Sequence, residues 1–177
     1  MTIPPIDRFL ITDRLLLRPW EPTDAYDLYE NAKDEEVARP AGWLHHTSPE
    51  YSLKIIEERL SKPGTYAIVP KDVRKAVGSI SLMFDKDTNI ALTEGEAELG
   101  YWIGRRYWGN GYVTEAAKAL IEHGLRDLRL DRIWCICRTD NNASMRVQDK
   151  CGFRFVRNGL INDPVYGELE MRFTCID

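Results

Sequence analysis

The 177-residue chain has little from which a metal site or a disulfide framework could be built: four cysteines, three histidines and no C-x-x-C pair. Cys135 and Cys137 lie two apart in a strand-like run. Their side chains then share a face and are poorly placed to bond each other. With Cys151 and Cys175 they read as reduced, mostly buried thiols, which points to a cytoplasmic protein. No stretch approaches the ~18 consecutive apolar residues of a membrane span. Residues 1–7 show no charged segment leading into an apolar one, so neither a secretion signal nor a membrane partner is expected. Positive charge is not in excess: the net charge of −4 gives no whole-chain support for nucleic-acid binding. Low-complexity segments, internal repeats and long linkers are also lacking. What is present, 44% hydrophobic and 29% charged residues, is the composition of a globular protein. The length suits one domain spanning 1–177.

Elements of both kinds alternate along the chain, as in α/β or α+β architectures. A first strand is expected over 14–20, stopped near Pro19. A helix capped by Thr23 should follow, and a second should start at Ser48-Pro49-Glu50, where Ser accepts N–H groups and Pro occupies the first helical position. Strands are predicted over 65–69, 75–84 and 97–103, with 85–94 as a polar hairpin connection. Apolar or small residues at 113, 116, 117, 120, 121, 124, 125 and 128 form one stripe, predicting a long helix over 113–128. A strand over 132–138, a short helix over 142–151 and closing strands over 153–156 and 169–176 complete the pattern.

The segment that carries chemistry is Glu98-Leu-Gly-Tyr-Trp-Ile-Gly-Arg-Arg-Tyr-Trp-Gly-Asn-Gly-Tyr-Val-Thr-Glu115. It reads as a strand, a glycine-containing loop and the start of the striped helix. Such a turn gathers backbone N–H groups at the positive end of a helix and suits phosphates. A nucleoside-triphosphate P-loop would need Gly-Lys-Ser/Thr, where this chain has Gly111-Tyr112-Val113. The dinucleotide fingerprint fails at its third glycine, which is Thr114. What remains is Arg106-Tyr-Trp-Gly109-Asn-Gly111, an R-x-x-G-x-G pattern.

That pattern, between a strand and a long helix, resembles the acetyl-CoA pyrophosphate loop of the GCN5-related N-acetyltransferase (GNAT) superfamily. Three further pieces resemble its RimJ/RimL-type branch in order: Ile11-Thr-Asp-Arg-Leu-Leu-Leu-Arg-Pro-Trp20, Tyr107-Trp-Gly-Asn-Gly-Tyr-Val-Thr-Glu-Ala116 and Asn141-Asn-Ala-Ser-Met-Arg-Val-Gln-Asp-Lys-Cys-Gly-Phe153. The resemblance implies an α+β sandwich. Its mixed, mostly antiparallel sheet would carry helices on both faces and splay into a V-shaped cleft for acetyl-CoA after Trp102. Tyr101, Trp102 and Ile103 would offer free backbone groups to the pantetheine arm. Arg106 and the backbone at Gly109, Asn110, Gly111, Tyr112, Val113 and Thr114 would hold the pyrophosphate. Asn141 would bond the pantetheine or thioester end, and Lys150 or Arg154 the 3′-phosphate. No metal is implied.

Acetyl transfer is attack of a neutral amine on a thioester. It asks for a donor to the carbonyl oxygen, a route for the amine proton and stabilisation of the leaving thiolate. No covalent enzyme nucleophile is required, so the cysteines are not implicated. Glu98, on the strand whose end would hold the thioester, is the candidate base or amine-binding group; the alternative is a carboxylate that only positions the amine or lies on a solvated face. Glu96 shares its face at period 2. Many relatives place a Tyr on the downstream helix, where this chain has Gln148. Ser144, one helical turn earlier, is then the candidate donor to sulfur; the alternative is a helix-start serine bonding its own backbone. His123 reads as structural or exposed, and Glu57-Glu58-Arg59 as solvated. His45, His46, Trp43 and Tyr166 are weaker candidates for the acceptor pocket. The expected acceptor is a protein N-terminal amine, with a ribosomal protein as the candidate. The competing readings are a small amine, such as a polyamine, amino acid or aminated antibiotic, and a non-catalytic acyl-CoA-binding module. A homodimer is compatible with the sequence and not specified by it.

Overall fold

The computed structural model describes residues 9–84 and 88–177. Residues 85–87 of the expected hairpin connection lie outside them. The described residues form an eight-stranded sheet in the order β1-β2-β3-β4-β5-β6-β8-β7. The strands are β1 (Leu10–Ile11), β2 (Leu15–Arg18), β3 (Thr65–Pro70), β4 (Gly78–Met83), β5 (Glu96–Ile103), β6 (Arg132–Arg138), β7 (Arg154–Asp163) and β8 (Gly167–Ile176). Every neighbouring pair is antiparallel except β5 with β6.

Helices cover both faces. On one, α1 (Ala25–Ala32), the short α2 (Glu35–Ala38) and α3 (Pro49–Ile55, continuing to Leu60 in a wider turn) bury Leu28, Ala32 and Ile56 against Trp20, Ala67 and Val69. On the other, α4 (Tyr112–Glu122, continuing to Asp127) sets Ala116, Ala117, Leu120 and Ile121 against Leu15, Leu17, Ile68, Ile80 and Leu99. Those four lie on the predicted stripe, and their burial explains why a loop-to-helix turn at Gly111 is held in place. α5 (Asn142–Cys151) follows β6 and closes at Gly152. Among the described residues no helix is long and apolar enough to cross a membrane.

Two local expectations change. Ser48 caps α3 as predicted, its Oγ accepting from Tyr51 N at 3.1 Å. Thr23 is exposed and does not cap α1. Asp24 occupies the N-cap position of α1 without a side-chain bond to the helix; its buried carboxylate accepts instead from Glu21 N at 2.9 Å and from both terminal nitrogens of Arg18 at 2.7 Å. The penultimate strand is also longer than its apolar run. β7 pairs with β8 from Arg154 to Asp163, with a bulge between Phe155 and Arg157, and its mostly exposed residues carry no alternation to read.

The feature that positions the site is the junction of β5 and β6. β5 stays paired with β4 as far as Ile103, opposite Gly78, and β6 follows β8 as far as Arg138, opposite Met171. The two half-sheets meet only at Glu96, Ala97 and Glu98, opposite Arg132, Ile133 and Trp134. The expected splay is therefore present but starts after Glu98, four residues earlier than the sequence suggested. One edge of β5 from Leu99 to Ile103 is left without a strand partner.

Candidate active site

The splay opens a cleft of about 1170 Å³, walled by β5, β6, the loop before α4, α5 and residues of the segment between α2 and α3. At its upper end the chain leaves β5, makes a short helical turn at Arg105–Tyr107 and enters α4. Gly109 and Gly111 have φ of +78° and +76°, a region that side-chain-bearing residues adopt only under strain. Gly111 occupies the N-cap position, and no side chain caps the helix there. The first-turn N–H groups of Tyr112, Val113 and Thr114 are thus the donors a phosphate would use.

The loop is braced from a distant part of the chain. Glu115, in the first turn of α4, accepts from Thr12 Oγ1 at 2.6 Å, Arg14 N at 2.9 Å and Arg14 Nε at 2.6 Å. A second nitrogen of Arg14 donates to Asn110 O at 2.9 Å, and the guanidinium lies 4.9 Å from the Tyr112 ring centre. Burial works against ionisation of Glu115, but the hydrogen bonds from Thr12 and Arg14 outweigh it and hold the carboxyl below its usual range. The N-terminal strand motif and the loop motif are thereby parts of one network.

At the lower end Glu98 is 2% exposed. Its two oxygens accept from Asn89 N at 2.7 Å and Asn89 Nδ2 at 2.8 Å. Burial pushes this carboxyl above its ordinary value, and the Asn89 bonds offset part of that shift. Glu96, its period-2 neighbour, instead receives Thr93 N and pairs with Arg132. Ser144 lies in the first turn of α5, its N–H bonded to Asn141 Oδ1 at 3.0 Å and its Oγ 2.8 Å from the Tyr101 hydroxyl. Cys135 and Cys137 also line the cleft, yet burial pushes both thiols up, so they stay protonated and are poor nucleophiles.

Of the sequence candidates, Glu98, Tyr101, Trp102, Ile103, Gly109, Gly111, Tyr112, Val113, Thr114, Asn141 and Ser144 all line this cleft. Arg106 and Asn110 are not among the residues that wall it. Arg106 is exposed on the short turn, while Asn110 braces the loop through bonds from its Nδ2 to Tyr107 O and Trp108 O. The Ile103 carbonyl accepts from the Trp108 indole at 3.0 Å, and Asn141 Oδ1 is engaged as the cap of α5. The Asn141 Nδ2 is the side-chain donor that a ligand carbonyl could use. Lys150 lines the cleft, whereas Arg154 is paired with Asp177.

Gln148 is fully buried, bonded to Cys135 Sγ and Thr174 Oγ1. His46 is buried against Trp43 and Tyr51 with Nδ1 2.8 Å from Ser52 Oγ; burial, with His45 nearby, lowers it to about 4, so it is neutral at pH 7. His123 is buried beside Asp127, and His45 lies outside near Glu35. Tyr166 donates to Trp43 O at 3.0 Å, and Trp43 meets Trp102 edge-on at 5.4 Å, which draws an aromatic wall over the Glu98 face of β5. Two contributors were missed in the sequence: Asn89, in a polar segment with no periodicity, and the Tyr101 side chain, which was considered only for its backbone.

A mostly antiparallel sheet splayed beside an uncapped, glycine-led helix N-terminus offers an extended ligand an unpaired strand edge and a phosphate a set of backbone donors. Residues 14–154 match the model of the acetyltransferase (GNAT) domain. The chain is 30% identical over 160 residues to the uncharacterized N-acetyltransferase p20 of Bacillus licheniformis, covering 87% of this chain and 85% of that one. It is 39% identical over 57 residues, 32% of each chain, to the ribosomal-protein-serine acetyltransferase of Escherichia coli. The solved GNAT acetyltransferase from Bacillus anthracis superposes with a TM-score of 0.82 at 22% identity, over 95% of this chain and 97% of that one. This protein belongs to the GNAT family of acetyltransferases.

Proposed function

We propose that the protein transfers the acetyl group of acetyl-CoA to a primary amine by direct attack within a ternary complex, and that the acceptor is the N-terminal amine of a protein. The observation that carries this reading is a cleft that runs from the uncapped start of α4, along the unpaired edge of β5, to a buried carboxylate and a serine hydroxyl. The amides at Gly109–Thr114 receive the pyrophosphate, and the unpaired edge of β5 receives the pantetheine. Glu98 draws in the ammonium or accepts its proton, helped by a carboxyl pKa raised toward that of the amine. An α-amino group, at ≈ 7.7–8.0, needs little assistance compared with a lysine at ≈ 10.4. As the tetrahedral intermediate collapses, Ser144 donates a hydrogen bond to the departing sulfur. The stretch shared with the ribosomal-protein-serine acetyltransferase supports a ribosomal N-terminus as acceptor. The Trp43–Tyr166 bond, which fixes the backbone at a residue walling the cleft, favours a second reading in which the acceptor is a small amine.

A turnover screen of acetyl-CoA against N-terminal peptides and small amines, read by released thiol, separates the two. Turnover confined to polyamines or amino acids would move the acceptor to the second reading. Within whichever class is active, Glu98→Gln should lower kcat/KM by ~10²-fold or more, the lower end of general acid–base help. Acetyl-CoA affinity should hold. Wild-type kinetics for this variant would mean that another carboxylate serves the amine.

A further inference from the structure

Ser144 is a weak donor by itself. A serine in the first turn of a helix readily turns its hydroxyl to its own backbone, where its proton is lost to the chemistry. Here the local backbone is already engaged: Asn141 Oδ1 accepts from Ser144 N, and the carbonyls one turn earlier accept from other amides, Asp140 O from Asn142 N and Asn141 O from Met145 N, both at 3.1 Å. The hydroxyl instead lies between the Cys137 thiol, to which it also bonds, and Tyr101, reaching across from β5, 43 residues away in sequence: the phenol oxygen is 2.8 Å from Ser144 Oγ and 3.3 Å from Ser144 O. Cys135 Sγ stands 4.0 Å behind the phenol, and buried Gln148 fills the layer below. Tyr101 and Ser144 both line the cleft.

We propose that Tyr101 is a positioning residue for acetyl transfer: its phenol donates to Ser144 Oγ and so aims the serine proton at the sulfur leaving the acetyl group. The inference rests on the reading that Ser144 faces that sulfur. Electron and proton bookkeeping fixes what the pair does. The amine lone pair forms the C–N bond, the C–S bond breaks with its electrons passing to sulfur, and the amine proton leaves toward Glu98 or water. Full transfer from the tyrosine would leave a buried phenolate. Burial, then the neighbouring Cys135, pushes this phenol well above its usual value, whereas an ordinary thiol sits at ≈ 8.5. Both hydroxyl protons therefore stay on oxygen, and the thiolate departs hydrogen-bonded and takes its proton from water. Hydrogen bonds to an ionised acceptor are about twice as strong as neutral ones, so the serine is helped most when the sulfur carries charge.

The test is a cycle of Tyr101→Phe, Ser144→Ala and the double variant, each with kcat, amine KM, acetyl-CoA Kd by calorimetry and a thermal melt. Tyr101→Phe should lower kcat by ~10-fold, less than the ~10²-fold of losing a direct donor, with Kd and KM within ~2-fold. The double variant should be no slower than Ser144→Ala alone. A Phe variant with wild-type kcat beside a slow Ser144→Ala overturns this inference and leaves the serine's role standing. Ser144→Ala at the wild-type rate removes that role and the inference together. Multiplicative losses in the double variant, or a loss appearing in acetyl-CoA Kd, would mean that Tyr101 only packs α5. If the Phe variant melts early, 3-fluorotyrosine at position 101 keeps the shape and donates more strongly. A rise in kcat then supports the coupling, and an unchanged kcat overturns it.

Discussion

The two ends of the cleft are made in opposite ways. The end proposed to take the phosphates is backbone: two glycines at positive φ and a helix start with no side-chain cap, steadied by an arginine and a glutamate outside the cleft. The end proposed for the chemistry is side chain: Glu98 buried under Asn89, and Ser144 bonded to Tyr101. A phosphate is the same ligand in every turnover, and a rigid set of dipoles serves it. Proton movement needs groups whose ionisation the surroundings have shifted, and burial supplies that shift. Substitutions at the first end should therefore act on acetyl-CoA affinity, and those at the second on kcat and on pH dependence.

The largest effect expected at the phosphate end is from Gly111→Val. A β-branched residue is strained at φ +76°, so the turn into α4 would rearrange and withdraw its amides. Acetyl-CoA binding by calorimetry should fall by at least ~100-fold, about the loss of two strong hydrogen bonds to a charged group. The thermal melt should stay cooperative, because the stripe of α4 is untouched. Undiminished affinity in a folded variant would take the loop out of the site and erase the contrast between the ends.

That contrast also explains what the sequence could and could not tell. A backbone turn restricts residue type at fixed spacing, and Gly109, Gly111 and the stripe of α4 stand in one continuous segment, so the glycine turn and the helix were both legible. The chemical end depends on which strand faces which helix. Tyr101 and Ser144 are 43 residues apart, and their meeting follows from β5 ending beside the first turn of α5. Asn89 belongs to a segment without periodicity, and its contact with Glu98 needs a chain reversal that no motif announces. The start of the splay was misplaced for a related reason: strand length is written in β5 itself, but the point where β6 parts from it is set by the pairing of β6 with β8. Thr12 and Arg14 are the instructive middle case. The motif that holds them was visible, but its link to Glu115 spans 101 to 103 residues and could only be seen in the fold.

Arg14→Ala sharpens the comparison with a smaller effect. Arg14 is half exposed, and exposed ion pairs alone contribute ~1 kcal/mol or less. Here the same side chain also holds the Asn110 carbonyl and covers Tyr112, so its loss should loosen the loop as a unit. Acetyl-CoA affinity should weaken by roughly 10-fold with kcat at saturation unchanged, the pattern of a residue that acts on binding alone. A fall in kcat with affinity intact would place Arg14 in communication with the chemical end, and the separation would fail.

The smallest expected effect is on stability, and it comes from Glu98→Gln. Burial raises the Glu98 carboxyl above its ordinary value, and the Asn89 bonds offset this only in part. A folded state with the raised pKa binds the proton more tightly than the unfolded chain. This contribution to stability is therefore present below the unfolded value, ≈ 4.3, and declines as pH rises through the folded one. Above both, the wild type bears the full cost of a buried charge. Glutamine cannot ionise, and it fits the same place: its oxygen accepts from Asn89 N, and a turned Asn89 amide can accept from its nitrogen. The variant should gain on the order of 1 kcal/mol at pH 8, or ~2–4 °C in Tm for a chain of this length. The gain should shrink on acidification and close below about pH 4. Calorimetric melts of both proteins from pH 4 to pH 8 give the comparison directly. A variant less stable than wild type at pH 8 would mean that the two Asn89 bonds outweigh burial. The carboxylate would then be part of what holds the fold together, and the chemical end would no longer be a place where stability is given up for reactivity.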